Sequence, residues 1–265
     1  MKTATHICSP ARLRHCLVTL ILTFGAVAAA QATLVFDNIT PQETDGNLAS
    51  TSSTPNTFMG DGYNLLSGTI DITGFDLYPV NATGTSFNAL KLTIYVWGGV
   101  NASTVNAATP AFSNLLGTFT FTSTGTFTTG FFFPFESASP GVTPGITLAS
   151  PLLIPSTTIG LTFNYMGSTD GGTTYSSANS LTSLISHTDP PTVGSNVFNG
   201  YYRNANSETN GNFTSTLRSL GLTNQSLGVR VYGDVVPEPS TWLLIASGAG
   251  VLLIARRKRL NKLGQ

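Results

Sequence analysis

Cysteine and charged residues are both scarce in this sequence. The two cysteines among its 265 residues, Cys8 and Cys16, both lie near the N-terminus. If that stretch is removed, the rest of the chain has no thiol, which excludes disulfides and cysteine catalysis there. Charged residues make up 9% of the chain, against roughly 25% in a typical soluble domain. Stability must therefore come from the burial of apolar side chains.

The few charges are unevenly distributed along the chain. Residues 33–236 hold four basic and eleven acidic side chains, a net charge of −7, and the other basic residues all lie at the two ends. A segment of this charge without a basic patch repels nucleic acid, so we expect no nucleic-acid partner. One histidine and no cysteine in the same segment argue against zinc.

The first 32 residues have the three parts of a secretory signal peptide. Basic residues precede an apolar stretch, Cys16–Ala30, and an A-x-A site follows at Ala30 and Ala32. This arrangement predicts cleavage by signal peptidase before Thr33. The alternative is an uncleaved N-terminal membrane anchor, which the short apolar stretch and the small residues at the site disfavour.

The C-terminus carries the most specific pattern of the sequence. Pro237 and Pro239 flank Glu238, and both prolines disfavour helix at the residue before them, as a bound protease substrate requires. The uncharged residues from Trp242 to Ala255 follow. As a helix they would span about 21 Å. They number 14, fewer than the roughly 20 residues of a comfortable membrane span. On length alone they would equally fit a buried core helix.

The flanking charges favour the membrane. Four basic residues directly after an apolar stretch act as a stop-transfer signal and place that end in the cytoplasm. With a signal peptide carrying the body outward, the body lies outside. The residues assigned to the anchor are Trp242, Leu243, Leu244, Ile245, Val251, Leu252, Leu253 and Ile254. Those assigned to stop-transfer are Arg256, Arg257, Lys258 and Arg259. An ordinary, permanent anchor is the alternative.

A Pro-Glu-Pro motif, a short apolar helix and a basic cluster at the extreme C-terminus closely resemble the PEP-CTERM sorting signal, here at residues 236–260. The resemblance implies recognition by an exosortase, a membrane-embedded enzyme similar to cysteine transpeptidases. It further implies a tether in the inner membrane, cleavage near Pro237–Pro239, and delivery to the cell surface or extracellular matrix. The hosts of such systems are Gram-negative bacteria that make exopolysaccharide, often in biofilms, so exopolysaccharide is a candidate partner.

The segment between the two ends has the period-two alternation of β-strands. On one face of a candidate strand lie Leu90, Leu92, Ile94 and Val96, and on the other Lys91, Thr93, Tyr95 and Trp97. Further strand candidates are Ile159–Tyr165, Thr118–Thr122, Leu227–Tyr232, Thr33–Ile39, Gly68–Pro79 and Gly130–Pro134. Predicted loops are Gln42–Asn56, Ala102–Pro110, Ser168–Ser180 and Asn199–Asn212.

These strands predict an all-β fold, an antiparallel two-sheet β-sandwich or jelly roll over residues 33–235. An N-terminal signal helix and a C-terminal transmembrane helix would flank it. No stretch of the body shows ten residues of helical periodicity with caps.

Residues suited to catalysis are few in the body. His187 is its only histidine, and with Asp189 it stands before two prolines that favour a loop. No G-x-S-x-G motif accompanies it. A glycoside hydrolase needs two facing carboxyls, and nothing in the sequence pairs Glu43, Glu136 or Glu208 with a second acid. We therefore expect no enzymatic activity.

Ligand candidates are weak. Calcium is the candidate metal, with Asp61 and Asp170 as ligands, although Asp-Gly is more often a turn; no other cofactor is expected. Sugars stack on exposed aromatic rings, for which Tyr95, Trp97, Tyr201 and Tyr202 are the candidates, with packing as the alternative. We expect a structural or adhesive body. The alternatives are a carbohydrate-binding module or a glycan hydrolase that bears the same tail.

Overall fold

A computed structural model describes residues 33–40, 58–101, 111–131, 134–186, 190–204, 217–218, 221 and 223–235. The predicted signal helix, the cleavage site at Ala30 and Ala32, the Pro-Glu-Pro motif, the transmembrane helix and the stop-transfer cluster lie outside these residues. Within them, the only helical element is a 3₁₀ turn at Ser177–Asn179. No helix in this part of the chain is long and apolar enough to cross a membrane.

The described chain is built from β-strands. In chain order they are β1 Thr33–Asp37, β2 Phe58–Asn64, β3 Asp71–Leu77, β4 Pro79–Asn81, β5 Phe87–Val100, β6 Phe112–Phe127, β7 Gly130–Phe131, β8 Ile146–Leu153, β9 Thr158–Ser168, β10 Ser180–Ser183, β11 Ile185–Ser186, β12 Ser195–Asn196, β13 Tyr202–Asn204, β14 Ser226–Leu227 and β15 Val229–Gly233. Every pairing between them is antiparallel. The predicted all-β fold with antiparallel sheets is confirmed.

The smaller of the two main sheets has the strand order β1-β15-β3-β8. The last strand, β15, therefore lies inside this sheet, between the first strand and β3. Thr33 pairs with Gly233, and Asp37 pairs with Arg230. On its other side, β15 pairs Val229 with Leu77 and Tyr232 with Gly74. The two ends of the body thus meet in one sheet.

The larger sheet follows the path β12-β2-β9-β10-β4-β7, and β5 and β6 extend it from β9. Strand β5 pairs with β9 from Ala89 to Trp97 and with β6 along nearly its whole length. Because β6 pairs only with β5 among the described strands, it forms an edge of this sheet. A third, two-stranded sheet joins β11 and β14.

One hydrophobic core joins the two main sheets. It contains Phe36 and Val231 from the smaller sheet and Leu92, Phe163 and Leu161 from the larger one, all with no exposed surface. The alternating apolar face predicted for β5 is confirmed, because its four aliphatic residues all belong to this core. Shared burial between two sheets is the arrangement expected of a sandwich.

The opposite face of the larger sheet carries a second apolar cluster. It is formed by Phe58, Trp97, Ala111, Phe112, Phe198 and Tyr202. Trp97 lies on the face that the alternation predicts for it, opposite the main core, but this part of the face is covered and not exposed. Its ring stacks near that of Phe112, with centroids 6.1 Å apart, and its Nε1–H donates to Thr162 Oγ1 at 3.0 Å.

Strand β2 corrects the interpretation of Gly60-Asp61-Gly62 as a turn. These residues lie in the middle of a buried strand that pairs with β9 from Met59 to Asn64. Glycine in a strand interior often marks a close approach by another group. A Cβ atom on Gly62 would lie 2.9 Å from the Phe198 ring, so the glycine makes room for the second cluster.

Candidate functional site

The end of the last strand is the candidate functional site, because it connects the body to the C-terminal segment. Val235 forms an isolated bridge with Thr69. The amide of Asp234 donates to Asp71 Oδ1 at 3.1 Å, and its carbonyl accepts from the amide of Ile70 at 3.0 Å. The backbone is therefore held to the sheet as far as Val235.

Buried side chains hold the approach to β15 as well. Asn38 Nδ2 donates to the carbonyl of Leu227 at 2.9 Å, and Asn38 Oδ1 accepts from the amide of Val229 at 2.8 Å. The hydroxyl of Tyr63 donates to the same Leu227 carbonyl at 3.2 Å. The side-chain amide of Asn38 thus makes hydrogen bonds on both sides of Gly228 that a neighbouring strand would otherwise make.

Asp61 adds a fully buried carboxyl to this region. Its Oδ2 accepts from Ser226 Oγ at 2.8 Å and from the amide of Leu227 at 2.9 Å, and its Oδ1 accepts from the amide of Gly62 at 2.7 Å. Burial raises the pKa of Asp61 to about 8, although these three hydrogen bonds act to lower it. Asp61 therefore couples β2 of the larger sheet to the segment that enters β15.

Arg230, in the middle of β15, is the centre of a buried ionic cluster. Its Nη1 lies 2.9 Å from Glu136 Oε1 and 3.4 Å from Asp76 Oδ2, and its Nε lies 3.4 Å from Asp37 Oδ1. The guanidinium also donates to the hydroxyl of Tyr78. Because these partners come from β1, β3 and the segment after β7, the arginine binds the last strand to its surroundings on several sides.

The electrostatics of the cluster favour a charged arginine. Burial opposes its charge, but Tyr78, Glu136, Asp37 and Asp76 more than offset this effect, so the pKa of Arg230 is raised. Burial raises the pKa of Asp76, against the lowering effects of the Gly145 amide, Tyr232 and Arg230. The backbone amide of Gly145 donates to Asp76 Oδ1 at 2.6 Å, and the Tyr232 hydroxyl donates to Asp76 Oδ2 at 2.7 Å.

Residues 235–259 match the family described as the PEP-CTERM protein-sorting motif. The chain carries a PEP-CTERM sorting motif. The predicted resemblance is thereby confirmed, and the match includes the Pro-Glu-Pro residues and the basic cluster. No curated protein matches the chain, and no solved structure matches it.

The PEP-CTERM motif begins where the described structure ends, at Val235. It indicates an exported protein that is sorted by an exosortase. The polar contacts of β15 therefore lie directly before the region that the sorting machinery would process. These contacts hold the body together up to Val235, the residue at which the motif starts.

The carboxyls of the ionic cluster do not form a hydrolytic pair. Asp76 and Glu136 both contact the same nitrogen of Arg230, so a cation lies between them where a glycosidase needs a sugar or a water molecule. The Tyr78 hydroxyl also donates to Glu136 Oε1 at 3.0 Å. Glu43 and Glu208 lie outside the described residues, as do His187 and Asp189.

The two candidate calcium ligands lie in different environments and do not converge. Asp61 accepts three protein hydrogen bonds in the core. Asp170 lies in a turn, where Oδ1 accepts from the amides of Thr173 and Thr174 at 3.0 and 2.9 Å. The Ser168 hydroxyl and these amides lower the pKa of Asp170 to about 2. In the described part of the chain, no group of three acidic, histidine or cysteine residues is placed to bind a metal.

The aromatic residues considered for sugar stacking are packing residues. Trp97, Tyr201 and Tyr202 are at most 6% exposed. Tyr95 is half-buried, and its ring meets that of Phe58 edge-on at 5.5 Å. Tyr95, Trp97 and Tyr202 therefore cover the outer face of the larger sheet, whereas Tyr201 belongs to the main core.

No local sequence pattern predicts the Arg230 cluster. Asp37, Asp76, Glu136 and Arg230 are far apart along the chain, and only the pairing of β15 with β1 and β3 brings three of them together. The one usable clue was the rarity of basic residues, since a single arginine in an apolar, alternating strand requires acidic partners.

Proposed function

We propose that this chain is a non-enzymatic structural or adhesive protein of an extracellular polysaccharide matrix, with a two-sheet β-sandwich body that an exosortase delivers. The observation that carries the proposal is the position of the sorting motif relative to β15. The PEP-CTERM motif starts at Val235, directly after a strand that lies inside a sheet. A cut near Pro237–Pro239 would release the body with all its strands.

The proposed route has two processing steps. Signal peptidase cleaves before Thr33 and leaves the body outside the cytoplasm, tethered to the inner membrane by its tail. Six residues separate Val235 from Trp242, and an extended chain of that length reaches about 20 Å. The folded body therefore stays close to the membrane until the exosortase cuts. The product then belongs to the cell surface or the matrix of a Gram-negative, biofilm-forming host.

The interior of the body supports a non-enzymatic role. The carboxyls of Asp76 and Glu136 are bound to one arginine nitrogen, and the candidate sugar-stacking rings are largely buried. The outer strand β6 is instead rich in exposed threonines and carries no charge. Hydroxyl groups at that density suit many weak contacts with a hydrated polymer, which is what a matrix protein requires.

Intact-mass analysis of the native protein from wild-type and exosortase-null cells tests the sorting step. We expect the wild-type mass to lack the segment that contains Arg256–Arg259, and the null mass to retain it. Pro239→Ala, inside the motif, should retain the tail in wild-type cells. Pro151→Ala, at an exposed position of β8, is the matched control and should be processed normally. Retention of the basic end in wild-type cells would contradict the proposal.

A binding assay tests the proposed role of the body. The exported protein should bind exopolysaccharide purified from its host and should release no reducing sugar from it. Release of reducing ends would identify a glycan hydrolase instead. Tight, saturable binding to one defined oligosaccharide on a glycan array would identify a dedicated sugar-binding module.

A further inference from the structure

Strand β6 leaves a long sheet edge open. It spans Phe112–Phe127 and pairs with β5 alone among the described strands. Between its two buried ends, every residue is exposed or half-exposed. An edge of this kind presents a row of backbone N–H and C=O groups that another strand can pair with.

Most other sheet ends carry a feature that discourages such pairing, and β6 does not. Edges are usually blunted by short strands, charge or proline. Strands β7, β12 and β13 have two or three residues each, β1 ends on Asp37, and β8 contains Pro151. Strand β6 has neither a charged residue nor a proline.

The middle of β6 is regular. From Gly117 to Thr124 it pairs residue by residue with β5, and register shifts interrupt the ladder only on either side of this window. Phe119 and Phe121 lie opposite Ile94 and Leu92, so they face the core, against which they are partly buried. The threonines between them face outward.

The central five residues of this window have the same sequence in either direction. Thr118-Phe119-Thr120-Phe121-Thr122 is a palindrome, so two antiparallel copies centred on Thr120 place threonine opposite threonine and phenylalanine opposite phenylalanine. Cross-strand aromatic pairs and threonine pairs both stabilise antiparallel sheets. An isologous dimer requires a self-complementary patch, and a palindromic strand meets that requirement.

We propose that β6 pairs antiparallel with β6 of a second copy of this chain. The two larger sheets then form one continuous sheet across a two-fold axis at Thr120. Each Phe119 meets Phe121 of the other copy on the core side, which covers rings that are half-exposed in the single chain. No charge lies in the contact, so the net negative charge of the bodies adds little repulsion there. This dimer does not depend on how the tail is processed.

Disulfide trapping of the exported full-length chain in its host tests the register. A disulfide needs Cα atoms about 4.4–6.8 Å apart. Thr120→Cys places two thiols on the axis and should give a dimer on a non-reducing gel. In Thr118→Cys the equivalent residues lie four positions apart, about 13 Å along the strand, and should not cross-link. The double variant Thr118→Cys/Thr122→Cys brings unlike positions together and should cross-link again.

Thr147→Cys is the matched control, because it is an exposed threonine on the edge strand β8. Wild-type protein, which has no cysteine once the signal peptide is removed, gives the background. A dimer that is no stronger for Thr120→Cys than for Thr118→Cys or Thr147→Cys overturns the proposal. A cross-linked band at a mass other than twice that of the chain overturns it as well, because the partner would then be a different protein.

A charge variant tests the contact without cysteine. Thr120→Lys places two like charges directly opposite each other, which destabilises a cross-strand pair. Amine-independent photo-cross-linking of the exported protein should show the dimer in wild type and at least a tenfold loss in Thr120→Lys. Thr147→Lys should keep the dimer. At a concentration low enough for the wild type to be monomeric, both variants should unfold at the wild-type temperature, which separates lost pairing from lost folding. A dimer that persists in Thr120→Lys contradicts the proposal.

Discussion

Asp61 shows how one buried carboxyl can make the stability of the body depend on pH. Burial raises its pKa from 3.8 to about 8. Between these values the unfolded chain has released a proton that the folded chain keeps. The contribution of Asp61 is therefore fully present below about pH 4 and is lost as the pH rises towards 8.

The first prediction concerns Asp61→Asn. The amide NH₂ must face a backbone N–H donor, so at pH 4 we expect a loss of about 1–3 kcal/mol of unfolding free energy. The difference in unfolding free energy between wild type and Asp61→Asn should narrow towards pH 8, by at most about 1.4 kcal/mol per pH unit. Only the wild type has a side chain at position 61 that titrates. Urea unfolding of the exported protein at pH 4, 6 and 8 measures it.

Asp170→Asn is the matched control for this prediction. The pKa of Asp170 is lowered to about 2, so its contribution is lost only as the pH falls below about 4. Its stability difference from wild type should therefore stay constant between pH 4 and 8. A constant difference for Asp61→Asn over the same range would show that Asp61 is ionised in the folded body.

The second prediction concerns Arg230. Removing one member of a buried ionic cluster leaves uncompensated charges, at a cost of about 3–5 kcal/mol. Arg230→Met should therefore lower the unfolding free energy by that amount, and Arg230→Lys by less, because it keeps the charge and loses the fork of donors. Lys91→Met, which removes a partly exposed cation over the Tyr175 ring, should cost at most about 1 kcal/mol. Equal losses for Arg230→Met and Lys91→Met would contradict the importance of the cluster.

At the scale of the elements, the position of β15 in the smaller sheet depends on a glycine near its end. A Cβ atom on Gly233 would lie 2.1 Å from the carbonyl oxygen of Asp71, so β15 and β3 could not keep their spacing. We predict that Gly233→Ala costs about 1–3 kcal/mol and increases cleavage by added protease near Val235. Gly84→Ala, with no atom within 4 Å of the new Cβ, should leave both thermal unfolding and proteolysis unchanged. Protease resistance equal to wild type in Gly233→Ala would show that β15 does not need this spacing.

The strands differed in how far their sequences predicted them. Strand β5 was predicted because Leu90 and Ile94 point into the core while alternate residues are polar. Strand β2 was missed because Gly60 and Gly62 around Asp61 resemble a turn, whereas Gly62 in fact makes room for neighbouring side chains. Such close approaches depend on residues distant in sequence, here Phe198, and no local pattern contains them.

The same reason accounts for what was missed at the candidate site. The sorting motif is a continuous run of residues and could be recognised from sequence alone. The contacts that hold β15 in front of it come from strands at the other end of the chain. Trp97 lies on the face that the alternation predicts, beside Tyr95. The rings that cover it there, such as Phe112, come from other strands, which the local pattern does not contain.

At the scale of the whole molecule, the first and last strands are neighbours. Thr33 pairs with Gly233, so the predicted signal-peptidase site and the PEP-CTERM motif both adjoin the same end of the smaller sheet. Because β15 lies between β1 and β3, the smaller sheet lacks its interior strand until residue 233 has left the membrane. We therefore expect the body to complete its fold only after nearly all of the chain has been exported.

The last prediction tests this order with two truncations of the exported chain. A chain that ends at Val235 keeps every described strand and the Arg230 cluster, and should be secreted as a protease-resistant body. A chain that ends at Leu227 loses β15, which separates β1 from β3 and leaves Asp37, Asp76 and Glu136 without their arginine. It should be secreted in a protease-sensitive form. Limited proteolysis of the two secreted products, compared at equal expression, measures the difference, and equal resistance would show that the body folds before its last strand emerges.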